Sequence, residues 1–269
     1  MSYGARDIAE ACRAVGVARG RTIYLTSDLA RLMGFERPEK EAVLEAYIGV
    51  LRDLIGPEGT LLVSTASLNL CNTDIPFDLA TTPAYQVGIL SEYVRTRDGA
   101  RRSFHPFVSY TALGQDADAL TRDCALHPYG PETPEARAIE ADALAVSVGL
   151  PPNETCSTIH HVEQMVGVPY RYAKEYDHPI LRNGMVRREP FYMYVWYRGI
   201  GIRRDRARKI FAALAGELPI ATANLGRGQV SGYSMRRFYP LAARLLSMDP
   251  YIWCQEPPSE RPYRSWMPS

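Results

Sequence analysis

The residues best placed to do chemistry are His160 and Glu163, in the run His160-His161-Val162-Glu163. The pattern predicts a helix over Ser157 to Met165, and helical positions three apart share a face. A carboxylate beside an imidazole selects its tautomer and stabilises the imidazolium. That suits a general base taking a proton from an amine or thiol. His161 lies about 100° further round and points elsewhere. Two other readings compete. Histidine–glutamate pairs at this spacing are common helix-surface features that serve packing alone. Glu-x-x-His spacing also occurs in carboxylate-bridged metal sites of helical bundles. The strand-rich pattern and the lack of a second such pair speak against a metal, and none is expected.

Two further clusters deserve the same treatment. In Arg102-Ser103-Phe104-His105-Pro106-Phe107-Val108-Ser109, Pro106 forces His105 toward an extended conformation at a strand edge. A histidine there is more often a hydrogen-bonding group than a catalyst, and a serine near the end of a buried strand commonly satisfies backbone groups. The turn Thr26-Ser27-Asp28-Leu29 reads as a strand end followed by a helix start. Free N–H groups at such a turn attract anions, although Asp28 would repel a bare phosphate, and a simple N-cap explains Ser27-Asp28 equally well. Neither G-x-G-x-x-G, nor a P-loop, nor a G-x-S-x-G elbow is present. The basic run Arg203 to Lys209 is ordinarily a solvated helix face, and could instead meet phosphates or an anionic substrate.

The elements that must hold these groups alternate in type. Ile8 to Val17 suggests a short helix, and Thr22 to Thr26 a buried strand. Glu39 to Ile55 is amphipathic, stopped by Gly56-Pro57-Glu58-Gly59, and Thr60 to Ser64 is a second buried strand. A long polar loop is expected from Cys71 to Pro83, a helix from Val87 to Val94, and a strand from Phe107 to Ala112. A second polar loop covers His127 to Pro134. Ala143 to Val148 is the clearest strand, and Gly167 and Pro169 end the helix that carries His160. Strand character over Phe191 to Arg198, a basic helix over Arg203 to Leu214 and a helix around Leu241 to Leu246 complete the pattern. Strand–helix–strand order with short loops predicts an α/β sheet with some parallel pairing.

Composition narrows the function classes. With 31 basic and 30 acidic residues the formal net charge is +1, which argues against a nucleic-acid or membrane-surface binder. Only Lys40, Lys174 and Lys209 are lysines, so the basic side is nearly all arginine. The five cysteines, Cys12, Cys71, Cys124, Cys156 and Cys254, show no C-x-x-C spacing, and reduced thiols are expected. Asp7, Glu10 and Arg13 make the N-terminus unlike a signal peptide, and no apolar run approaches the roughly 20 residues of a spanning helix. A cytoplasmic protein is expected, with one domain over 1–269, because no repeat or linker divides the chain.

Taken in order, the motifs resemble the aminoglycoside 3-N-acetyltransferase family of coenzyme-A-dependent acyltransferases. The resemblance runs from about Thr22 to Trp253. It begins with Tyr24-Leu25-Thr26-Ser27-Asp28-Leu29, Gly34 and Gly59-Thr60-Leu61-Leu62-Val63, and continues through Pro76-Phe77-Asp78, Thr82-Pro83, Gly88 and Ser91-Glu92. Arg102 to Pro106, Ser109, Ala112, Gly114 and Pro128-Tyr129-Gly130 follow. It ends with His160 to Glu163 and Gly167-Val168-Pro169-Tyr170-Arg171-Tyr172. Each piece is weak alone; the ordered set is specific. The double histidine and the Val-Pro-Tyr-Arg-Tyr tail look more like members of polysaccharide or natural-product biosynthesis than like resistance enzymes.

The resemblance implies a three-layer α/β/α sandwich with a mixed central sheet. It implies direct transfer of an acyl group from acetyl-coenzyme A, or another acyl-coenzyme A, to an amine on a sugar. In this family His160 falls on the general base and Glu163 on its carboxylate. Thr26, Ser27, Asp28 and Leu29, with His105 and Ser109, fall on segments beside the pantetheine and thioester. Thr26 and Asp28 depart from the histidine and serines that many drug-modifying members carry in that turn. Ser109 or the N–H groups of the Ser27 turn are then the candidate donors for the thioester oxygen. The expected partner is a small amino-sugar acceptor, with no nucleic acid and no membrane, and the protein is expected to be a monomer or homodimer. A polycationic aminoglycoside calls for an acidic cleft, which Asp74, Asp78, Asp116, Asp118 and Asp123 could supply. A non-sugar amine as acceptor, and a non-catalytic protein that binds coenzyme A or a sugar, remain as alternatives.

Overall fold

The computed structural model describes residues 2–261. The chain runs through α1 (Ala5–Ala14), β1 (Thr22–Ser27), α2 (Lys40–Ile55), β2 (Thr60–Ser64), β3 (Phe77–Asp78), α3 (Ile89–Arg95), β4 (Arg101–Arg102) and β5 (Tyr110–Gly114). It continues through α4 (Ala117–Thr121), α5 (Pro134–Glu140), β6 (Leu144–Val148), α6 (Pro152–Thr155) and α7 (Thr158–Val166). The final third holds β7 (Arg171–Arg182), β8 (Met185–Trp196), α8 (Arg208–Ala213), β9 (Ala221–Leu225), β10 (Gly228–Ser234) and α9 (Met235–Met248).

Strand β1 lies at the centre of a seven-stranded sheet of order β4-β5-β2-β1-β6-β10-β9. It pairs in parallel with β2 and β6, and the remaining pairs are antiparallel, so the sheet is mixed. Side chains alternate across it, as the pleat requires. Ile23 and Leu25 face a cluster containing Ile8, Leu44, Tyr47, Leu51 and Leu90 from α1, α2 and α3. Tyr24 faces the opposite cluster, with Ile159, Val162, Phe238 and Leu246 from α7 and α9. Helices thus cover both faces, giving the three-layer α/β/α arrangement. Burial on both faces explains why β1, β2 and β6 read as plain apolar runs. No helix among the described residues is long and apolar enough to cross a membrane.

Several boundaries differ from expectation for identifiable reasons. The turn after β1 starts no α-helix. Leu29–Arg31 is one 3₁₀ turn, and Met33 (φ 48°) and Gly34 (φ 82°) then redirect the chain. Phe107 and Val108 stay out of the sheet because their N–H groups bond His105, so β5 begins at Tyr110. The basic helix is confined to Arg208–Ala213, since Arg206 and Ala207 adopt positive φ. Thr133 caps α5 by accepting from the Ala136 N–H, with Pro134 in its first turn. The long hairpin β7–β8 turns at Asn183 and Gly184 and forms a second sheet with β3.

Gly149 closes β6 against the turn after β1. Its φ is +78°, and a Cβ there would sit 2.2 Å from the Asp28 carbonyl oxygen. Gly149→Ala is therefore expected to destabilise the protein by about 1–3 kcal/mol, because both the left-handed backbone and the backbone clash oppose a side chain. A thermal melt lowered by several degrees checks this.

Candidate active site

Helix α7 follows β6 through Gly149 and the short α6, which brings its first turn beside the C-terminal end of β1. His160 is on that turn. Its Nδ1 is 3.2 Å from Glu163 Oε2, and its side chain is 22% exposed while that of Glu163 is fully buried. Glu163 Oε2 also faces Arg171 Nη2 at 2.8 Å, and Oε1 accepts from the Tyr170 hydroxyl at 2.7 Å. Arg171 Nη2 lies 3.2 Å from His160 Nδ1. With the imidazole proton on Nδ1, where Glu163 Oε2 can accept it, Nε2 keeps its lone pair. No described residue hydrogen-bonds Nε2. The ring packs between Tyr129 and the edge of Trp253, with centroids 5.5 and 4.8 Å away. Burial lowers the His160 pKa; Glu163 works against that shift and the Arg171 charge reinforces it. His161 faces the other way, accepts from the Gly130 N–H and packs on Tyr239, and burial pulls its pKa to about 4.

Two cavities meet at Glu154, Thr155 and Ser157, just before His160. One, of about 640 Å³, is lined by His160, Trp253, Arg31, Arg204 and Arg206, with Asn153 to Ser157 along one wall. The other, of about 580 Å³, is lined by Tyr24, the turn Thr26 to Ala30, Gln86 to Ile89 and Leu150. Glu154, Thr155 and Ser157 belong to both walls. The Ser157 hydroxyl there is 2.5 Å from the Tyr24 hydroxyl.

Of the cofactor-side candidates, Thr26, Ser27, Asp28 and Leu29 all line the second cavity. Asp28 makes no cap hydrogen bond; its Oδ2 pairs with Arg31 Nε at 3.1 Å. His105 and Ser109 line neither cavity, contrary to expectation. Nδ1 of His105 accepts from the Phe107 and Val108 N–H groups, and Nε2 lies 3.3 Å from the Tyr192 carbonyl. Burial takes its pKa to about 3, so the ring stays neutral. Ser109 is fully buried; it donates to the Thr65 carbonyl and accepts from Arg102. Arg102 also donates to the Thr65 and Thr82 carbonyls, so this cluster fastens the loop before α3 to the sheet edge. The hydrogen bonds of these two side chains go to the scaffold.

Sequence reasoning missed Tyr170 and Arg171, which hold the carboxylate, and Trp253, which walls the cavity; Arg204, also in that wall, was offered only as one of a basic run that could meet an anion. Tyr170-Arg171 stood in the motif set without a role, and Arg204 was hidden in the expected basic helix. Instead, Arg204 lies in an isolated bridge to Cys254 and stacks over Trp196 and Trp253. A second buried carboxylate, Glu135, accepts from Tyr110 and Thr158, and burial raises its pKa. Among the described residues no three His, Cys, Asp or Glu side chains converge as a metal site.

Comparisons with known proteins bear on the family and the fold. Residues 26–247 match the family model described as aminoglycoside 3-N-acetyltransferase. Aminoglycoside N(3)-acetyltransferase VII of Streptomyces paromomycinus is 32% identical over 202 residues, or 67% of this chain; the match spans 65% of that relative's length. The crystal structure of aminoglycoside acetyltransferase AAC(3)-Xa superposes with a TM-score of 0.79 at 23% identity, covering 91% of this chain and 93% of that one. AAC-IIIb, in a binary complex with CoASH, gives 0.78 at 22% identity, covering 92% and 97%. With the family model spanning most of its length, the chain belongs to the aminoglycoside 3-N-acetyltransferase family.

Proposed function

We propose that the protein transfers an acetyl group from acetyl-coenzyme A to an amine carried on a sugar ring, with His160 as general base and Glu163 as its orienting carboxylate. The observation that carries this reading is an imidazole whose Nδ1 is held by a buried carboxylate while the ring borders a cleft. The turn Thr26 to Leu29, walled by Tyr24, Val87, Ile89 and Leu150, is the proposed seat of the pantetheine arm, whose mixed amide and methylene character suits such a lining. The complex of a structural neighbour with CoASH supports a coenzyme site in this fold.

In the proposed reaction the amine nitrogen attacks the thioester carbonyl carbon while His160 Nε2 takes the proton it releases. The imidazolium formed is stabilised by Glu163. The carbonyl oxygen gains charge and needs a donor. The Ser157 hydroxyl, which borders both cavities, takes the place first considered for Ser109. Collapse breaks the C–S bond, and the sulfur leaves with the proton from His160, giving an amide and free coenzyme A thiol. The test is thiol release from acetyl-, propionyl- and longer acyl-coenzyme A against a panel of amines. Saturable binding with no thiol release for any amine would end this reading.

The pH dependence follows from the site. The base acts when neutral, so kcat/KM is retained above the His160 pKa and lost as pH falls through it. Burial places that limb below the usual histidine value. Arg171→Met removes a charge that opposes protonation and is expected to move the acid limb to higher pH. A pH–rate profile that stays in place would refute Arg171's influence on the base.

A further inference from the structure

The cavity that borders His160 is cationic. Arg31, Arg204 and Arg206 line it, and Glu154 is its one carboxylate among the described lining residues. Glu154 is already engaged: Oε2 lies 3.3 Å from Arg31 and Oε1 3.5 Å from Arg206. Arg31 has a second partner in Asp28, on the wall of the neighbouring cavity. Arg204 has no carboxylate partner among the described residues. Its guanidinium sits 5.1 Å from the Trp196 ring centre and 5.7 Å from that of Trp253. Burial, reinforced by the Arg171 charge and opposed by that of Glu163, holds it below its usual pKa.

The acidic groups that would receive a polycation are elsewhere. Asp74 pairs with Arg188, Asp118 with Arg122, and Asp78 accepts from its own turn. Asp116 and Asp123 also stand outside the lining of the cavity that borders His160. A planar, aromatic-backed guanidinium recognises phosphate or carboxylate through paired N–H donors.

We propose that the acceptor carries an anionic group, a phosphate or carboxylate, near the amine to be acylated, and that Arg204 and Arg206 bind it. This rests on reading the site as an acyltransferase. The phosphates of coenzyme A are the competing anion. The acceptor is favoured because the base must face the amine, and His160 borders the arginine-lined cavity and not the one walled by Thr26 to Leu29.

The test compares kcat/KM for glucosamine, glucosamine 6-phosphate and kanamycin in the native enzyme, Arg204→Gln and Arg206→Gln. Arg206 is 65% exposed, so its replacement preserves the fold even if Arg204→Gln does not. The phosphate is expected to raise kcat/KM about tenfold or more over glucosamine, the scale of one charge-assisted hydrogen bond. Either substitution should bring that ratio within about threefold of unity. The KM for acetyl-coenzyme A should change less than about twofold. Faster turnover of kanamycin, with a ratio indifferent to both substitutions, would overturn the proposal. So would a raised acetyl-coenzyme A KM that disappears with the 3′-dephospho form, which would assign the arginines to the coenzyme. If no amine releases thiol, the acyltransferase reading falls and calorimetry with coenzyme-A-loaded protein decides the anion site. Phosphosugar binding weakened about tenfold in Arg206→Gln supports it; absent or unaffected binding refutes it.

Discussion

His160→Ala is expected to lower thiol release at least about 100-fold while the melting temperature stays near that of the parent. General bases contribute roughly 10²–10⁴ in rate, and no other imidazole borders the cleft to take over. The fold should tolerate the change because the ring borders a cavity and contributes mainly contacts with Tyr129 and Trp253. Proximity and the oxyanion donor would remain, so residual turnover above the uncatalysed rate is expected. Near-normal turnover in the folded variant would remove His160 from the reaction.

Glu163→Ala should be strongly destabilising, by about 3–5 kcal/mol. It strips the partner from the nearly buried Arg171 and from the Tyr170 hydroxyl together. Denaturant unfolding measures this directly. Glu163→Gln separates the structural from the chemical role. It keeps the volume and an acceptor for Tyr170 but removes the charge that favours protonated His160. Activity should fall less than in His160→Ala, and the acid limb of the pH–rate profile should move to lower pH. An unchanged profile would dissociate the carboxylate from the base.

The legible and illegible parts of the molecule divide along physical lines. Strands β1, β2 and β6 are buried on both faces, and Thr22 to Ser27, Thr60 to Ser64 and Leu144 to Val148 announce themselves by composition alone. Strand β7 escaped notice because its alternation is interrupted by charged and tyrosine residues, although Asn183-Gly184 was a readable hairpin signal. The pairing of His160 with Glu163 was visible because three-residue spacing on a helix is a local property. The positions of Tyr170, Arg171, Arg204 and Trp253 were not, since tertiary packing brings them in from other elements. His105 and Ser109 show the converse: residues in a recognisable motif can serve the scaffold, here through Arg102 and the backbone of residues 107 and 108.

The placement of β1 between two parallel partners has a consequence for biosynthesis. Ser27 is in register with Val148, and the Asp28 N–H is bonded to the Val148 carbonyl. Strand β1 therefore waits for more than a hundred further residues before its second neighbour leaves the ribosome. Long-range parallel pairing of this kind is slow to form and exposes unpaired edges meanwhile. Nascent chains arrested before Val148 should consequently be the species most dependent on chaperones.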